Sequence, residues 1–312
     1  MFFNGKNALF ENFKQEDVDR ITTWNLPVDG PKRRAFAQNT KMTLIPYVRT
    51  SFVSPASTNF PQFAKQIQSL GTAYITCPDS DKVSVMQDII DQLALWANNN
   101  ITIEPKDLFY TIGIMLTLSK LQSDPDMPPS IKQLMSIYGW LSENIKASLS
   151  METHAACAYL LLGILTNSKE MVNDSLAAWT TIVNRVLPTL ETKLESFTSF
   201  LDISYVLNDL LLVMFIFQLN NIDMLEPYQL TTLHNLVNHY AAFTSKNVEY
   251  LTRQYGAYDP HHTLSWILLY HRMFKWNYVQ PDNVQFFGEN LQVMLTAKES
   301  GYGGSTFFNF AV

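Results

Sequence analysis

From about residue 60 onward the chain is written in helical segments divided by short polar breaks, with hardly any of the alternation that a half-buried strand needs. Two kinds of segment recur. VSVMQDIIDQLALWANN sets Val83, Met86, Ile90, Leu93 and Ala97 on one face and Gln87, Asp88, Asp91 and Gln92 on the other, the pattern of a half-exposed helix. KDLFYTIGIMLTLSKL is apolar nearly all round. Pro125, Pro128 and Pro129 then break the chain. The amphipathic IKQLMSIYGWLSENIKASL follows, and then METHAACAYLLLGILT, again apolar all round. The sequence repeats this alternation with EMVNDSLAAWTTIVNRVL and DISYVLNDLLLVMFIFQL, and once more with YQLTTLHNLVNHYAAF and PHHTLSWILLYHRMF.

A helix apolar on every side needs neighbours on every side, whereas an amphipathic one needs a partner on one face. The pattern therefore predicts an all-α fold in which fully buried inner helices are ringed by half-exposed outer ones. A toroid of helical hairpins over residues 60–312 is the favoured arrangement, and an α-solenoid of stacked hairpins is the competing one. Residues 1–59, with several prolines and the run WNLPVDGPKRRAFAQNTKM, read as an irregular N-terminal arm or lid. The closing GYGGSTFFNFAV reads as a short strand or a packed tail.

The composition fits this picture: 312 residues with 47% hydrophobic and 16% charged residues can bury a large core. A net charge of −6 offers no whole-molecule attraction to nucleic acid or anionic lipid, so neither is an expected partner. Cys77 and Cys157 are too few for a zinc ligand set, although one bridge between them is compatible with the sequence. No HExxH or other ligand set is present, so no metal and no cofactor is expected. The N-terminus lacks a secretory pattern, which implies cytoplasmic synthesis and leaves the place of action open. LLLVMFIFQL, from Leu210 to Leu219, is too short to span a bilayer and reads as a buried soluble helix.

Polar residues in an all-apolar helix are the candidates for chemistry, because each costs about 1 to 3 kcal/mol if left without a partner. If every outer helix returns the chain to the same side, the inner helices run parallel. His154, Tyr205, His261 and His262 then all lie near inner-helix N-termini, where free N–H groups favour an anionic ligand such as an acidic sugar. A lone histidine in an apolar helix is more often a hydrogen-bonded core residue, which is the competing reading of His154, and His261 with His262 are also read as a cap after Pro260. His234 and His239, on an amphipathic segment, read as surface residues. Trp266 and Tyr270 lie four apart on one face, to stack on a sugar ring or to pack in the core. Lys32, Arg33 and Arg34 sit in a proline-bounded loop, to contact a polyanion or simply to be solvated.

In order and at similar spacing, four stretches resemble the mannuronate-specific alginate lyases of polysaccharide lyase family five. They are FAKQIQSLGTAYITCPDSDKVSVMQDIIDQLALWANN, METHAACAYLLLGILTNSKEMVNDSLAAW, LSWILLYHRMF and GYGGSTFF. The resemblance implies an incomplete α/α toroid and metal-independent β-elimination on a 4-linked, alginate-like polyuronate. His154 and Tyr205 would then be the catalytic pair, with Thr153, Asn208, Lys32, Arg33, Arg34, Trp266 and Tyr270 binding the anionic polysaccharide. Thr153 stands where the family has Asn, and Lys193 is the nearest cation to the place of the family's Arg. Aligned on Thr166 and Asn167, and on Asn221 and Asp223, the family positions fall on Met151 and Asp202, three residues before His154 and Tyr205. Equal shifts of about 4.5 Å along parallel helices preserve the separation of the pair. The alternative is a catalytically inactive, lyase-like glycan-binding or structural protein, with a protein assembly such as a virion as partner.

Overall fold

The computed structural model describes residues 48–74, 79–122, 131–146, 153–193, 200–219, 223–255 and 266–296. Among them every regular element is a helix, so the fold is all-α. The helices are α1 (Phe60–Tyr74), α2 (Asp79–Asn98), α3 (Leu108–Gln122), α4 (Ile131–Lys146), α5 (Thr153–Leu165) and α6 (Lys169–Thr181). They continue as α7 (Leu187–Lys193), α8 (Phe200–Leu219), α9 (Pro227–Tyr255), α10 (Trp266–Phe274) and α11 (Val284–Thr296).

The all-apolar segments become an inner row. Helices α1, α3, α5, α8 and α10 pack consecutively, each on the next, while α2, α4, α6, α7, α9 and α11 lie alongside them. Burial follows the sequence pattern: residues 155 to 165 of α5 are all buried, as are residues 207 to 217 of α8. In contrast, α2 exposes Asp81, Ser84, Gln87 or its neighbours on one side while burying Ile89, Leu93 and Trp96 on the other. Among the described residues α1 and α10 share no comparable interface.

Helix directions can be read from the closest approaches. A Cβ at Gly113 would strike the Gln68 side chain and one at Gly71 would strike Thr117, so α1 and α3 advance together and are parallel. Ser175 Oγ donates to the Ala156 carbonyl at 2.6 Å, while Gly163 lies against Met171 and Val172, so α5 and α6 are antiparallel. The turn between them has a clear cause. Asn167 takes a left-handed φ of 53°, and the N–H groups of Asn167 and Ser168 return to the carbonyls of Ile164 and Gly163. Ser168 Oγ then accepts from Met171 N and caps α6. Asn100 and Lys275 are likewise left-handed, just beyond α2 and α10.

Pro188 accounts for the break between α6 and α7. It has no N–H and its ring crowds the carbonyl of Asn184, and the chain answers with a π-helical turn at Ile182–Val186. Two aromatic clusters anchor the ends of the array. Near α1, Phe63 stacks on Trp96 at 4.1 Å with Phe60 and Trp140 beside them, and Trp140 Nε1 donates to the Ile101 carbonyl. Near α10, Trp266 meets Tyr240, Tyr270 and Phe287 edge to face, while Tyr270 and Phe287 stack.

Of the expected N-terminal arm, residues 48–59 are described, and they are packed rather than loose. Val48 is buried, Arg49 pairs with Asp88, and Gln66 Nε2 donates to the Ser51 carbonyl. Lys32, Arg33, Arg34, Cys77, His261, His262 and the closing GYGGSTFFNFAV lie outside the described residues.

Candidate functional site

The starts of three inner helices meet at one place. Phe109 is the second residue of α3, His154 the second of α5, and Tyr205 lies in the second turn of α8. The imidazole of His154 stands edge-on to the Tyr205 ring, with centroids 5.6 Å apart and planes at 82°. Phe109 touches both, at 5.2 Å from His154 and 4.7 Å from Tyr205. Three rings from three helices therefore close around one another.

Asp209 completes the group. Its Oδ2 lies 2.5 Å from His154 Nδ1, with the Asp209 side chain 0% exposed and that of His154 13% exposed. Asp209 falls one helical turn after Tyr205, so both side chains leave α8 on the face turned toward α5. With Nδ1–H donated to the carboxylate, the ring plane and tautomer of His154 are fixed and proton exchange falls to Nε2.

The surroundings are dry. Cys157, one turn after His154, is a buried thiol whose pKa burial pushes well up, with Asp209 adding to the rise. It stays protonated and is no nucleophile. Beside Phe109, Tyr110 has its phenol pKa raised by burial and secondarily by Asp107. Asp107, in the 3₁₀ turn that leads into α3, has its carboxyl raised by burial, an effect that Lys106 opposes and Glu104 reinforces. Asp107 borders a cleft of about 450 Å³ that Ser57, Thr58, Pro61, Glu104 and Lys106 also line. Hydroxyls and both signs of charge thus gather at the turn that leads into α3.

The remaining sequence candidates divide. Thr153 is half-buried at the first position of α5, and Asn208 is fully buried in α8 beside Asp209. Trp266 and Tyr270 do not present a sugar-stacking face. Both are fully buried, Trp266 against Tyr240 and Phe287, and Tyr270 against Phe274 with its hydroxyl 2.9 Å from His234 Nδ1. Their shared face points into the core because α9 and α11 cover α10. His234 is also corrected: it is 7% exposed, covered on one face by Tyr278, and no surface residue, whereas His239 is exposed. Asp209 was not among the sequence candidates. The signal was present, since an acidic residue inside an otherwise apolar helix demands a partner.

Among the described residues, no group of three His, Cys, Asp or Glu side chains gathers as a metal ion would require, and no helix is long and apolar enough to cross a membrane. Compared with known proteins, the sequence matches no family model and no curated protein, so the chemistry of this cluster has to be argued from its own geometry.

Proposed function

We propose that the inner row forms an incomplete α/α toroid and that the protein is a polyuronate lyase acting by metal-independent β-elimination, with His154 and Tyr205 as the proton-transfer pair. The observation that carries this reading is the edge-on approach of the two rings at 5.6 Å, with the imidazole held by a buried carboxylate.

Elimination on a 4-linked uronate needs three things: a base for the C5 proton, an acid for the departing O4, and donors that neutralise the adjacent carboxylate. One member of the pair takes the proton from C5. The electrons of that bond form the C4–C5 double bond, the C4–O4 bond breaks, and the other member supplies a proton to O4. Two groups within one ring's width of each other can serve C5 and O4 of the same residue, because those atoms are neighbours in the sugar. Asp209 acts through His154 by fixing which nitrogen faces outward. Lys32, Arg33 and Arg34 are the cations proposed for the carboxylate and the anionic chain, with Thr153 at the edge of the site.

The test is ultraviolet absorbance of the unsaturated product with polymannuronate, polyguluronate and glucuronan as substrates. We expect turnover of at least one polymer, and a loss of about 10³-fold in kcat in His154→Ala and in Tyr205→Phe. Absence of absorbance with every polyuronate overturns the reading. One observation favours a second function, a non-catalytic glycan-binding or structural scaffold. His154 shows only 13% of its side chain and Asp209 none, the geometry of a polar pair that locks two helices together. Binding of a polyuronate without product, or a stable protein partner on purification, selects that alternative.

A further inference from the structure

Where the His154 cluster is built from the starts of inner helices, a second cleft lies between the turn that follows α10 and the start of the outer helix α9. It encloses about 340 Å³, and its walls include Thr231, His234, Asn235, Asn238, Tyr278 and Gln280. We propose that this cleft is a binding site for a neutral saccharide, with Tyr278 as the platform on which a sugar ring stacks.

The platform is held from beneath. Tyr278 lies flat on the imidazole of His234, with centroids 4.0 Å apart and planes at 10°, while Phe274 stands edge-on to both rings. His234 is fixed in turn by the Tyr270 hydroxyl at its Nδ1. Yet Tyr278 is 51% exposed. With one face covered by His234, that exposure belongs to its outer face and edge. The turn that carries it is pinned as well: Asn238 Nδ2 donates to the Tyr278 carbonyl at 2.8 Å, Gln280 N donates to Asn238 Oδ1 at 2.7 Å, and Asn283 Nδ2 donates to the Asn238 carbonyl. An exposed aromatic side chain that is already immobile has little freedom to lose when a ligand covers it.

The chemistry of the walls selects the ligand. None of the lining residues is acidic, lysine or arginine, so nothing there recognises an ionised group. Burial lowers the His234 pKa to about 4, which keeps that ring neutral as well. Thr231, Asn235 and Gln280 carry hydroxyl and amide groups, which donate and accept as sugar hydroxyls do. His234 Nε2 is buried without a hydrogen-bond partner in the same wall, a polar atom that a hydroxyl entering beside the tyrosine edge would satisfy. An apolar ring face ringed by a few neutral polar groups, in a cleft of this volume, suits the C–H face and hydroxyl rim of a pyranose.

The site is independent of the proposed lyase chemistry, and the experiment keeps the two apart. Saturation-transfer NMR on the full chain, with neutral gluco- and manno-oligosaccharides as probes, should show transfer to the sugar ring C–H protons. Tyr278→Ala should weaken binding about tenfold or more, while Tyr278→Phe keeps it within about twofold. Asn235→Trp, at an exposed position on the rim, should block the cleft to a similar degree and serves if Tyr278→Ala melts early. His154→Ala should leave the signal at its wild-type strength. No transfer from any neutral oligosaccharide, equal transfer in Tyr278→Ala and Asn235→Trp, or stronger binding of an oligouronate at this cleft would each overturn the proposal.

Discussion

His154 and His234 both sit at the margin of the packed core, but they are held by opposite means. His154 opens an inner helix and gives its Nδ1 to a buried carboxylate, Asp209. His234 lies on an outer helix and has a phenol at Nδ1, an aromatic ring on its face and no carboxylate within bonding distance among the described residues. The first arrangement orients the imidazole and ties its Nδ1 to an anion. The second suppresses charge, because burial without an anion penalises the imidazolium. One residue type therefore serves as a polar joint between two helices in one place and as a neutral aromatic slab in the other. What decides between them is the partner at Nδ1.

Removing the carboxylate is the most direct way to break this contrast. Asp209→Ala leaves the His154 ring without its short hydrogen bond and opens a void between α5 and α8 where no solvent reaches. Loss of one member of a buried polar pair costs about 3 kcal/mol. We expect a drop of that order in chemical denaturation, and in the same variant a loss of whatever polyuronate turnover the wild type has. Asp209→Asn separates the two effects: it keeps the shape and most of the stability, but its amide does not draw the Nδ1 proton, so activity falls while the denaturation midpoint moves little.

Much of this contrast could be read from the chain, and the part that could not has a physical reason. The inner and outer helices were legible because burial on all sides forces an all-apolar sequence, and α3, α5, α8 and α10 fall where such segments were expected. His154 and Tyr205 were legible as polar interruptions of those segments, and the structure brings them together. Asp209 is not a sequence candidate, although its spacing of four from Tyr205 already puts the two on one helical face. His234 was misread because an amphipathic helix declares only which face turns from its own core. Nothing in YQLTTLHNLVNHYAAF announces that a turn forty residues later lays Tyr278 over it. Trp266 and Tyr270 failed for the same reason: spacing establishes a common face, but the elements that cover it come from elsewhere.

The pH dependence of stability sharpens the comparison from the His234 side. Burial holds this imidazole at about 4, against 6.5 for an ordinary histidine. Between those values the unfolded chain binds a proton that the folded chain refuses, so stability contributed by the neutral ring is complete above pH 6.5 and is lost as pH falls toward 4. The groups against the ring are Tyr270, Phe274 and Tyr278, none of which ionises in that interval. Denaturation midpoints measured from pH 7 to pH 4 should therefore fall in the wild type and fall less steeply in His234→Phe, which keeps an aromatic slab beneath Tyr278 and removes the titration. Identical slopes in the two proteins would show that His234 accepts its proton without cost, as an exposed histidine does.

Tyr270→Phe makes the finest cut. The ring of Tyr270 is fully buried and burial raises its phenol pKa, so the hydroxyl is a neutral donor and the natural proton between Tyr270 and His234 lies on the phenol oxygen. Deleting it removes a single hydrogen bond worth about 1 kcal/mol and leaves the aromatic packing in place. It also removes a bond that stabilises the neutral imidazole, since a protonated Nδ1 cannot accept one. The variant should therefore lose a little stability at neutral pH and begin its acid-side decline at a higher pH than the wild type, because its His234 takes up the proton sooner. A decline that starts at the same pH would mean that desolvation alone keeps His234 uncharged, and the contrast with His154 would then rest on the buried carboxylate and not on the partner at Nδ1 in general.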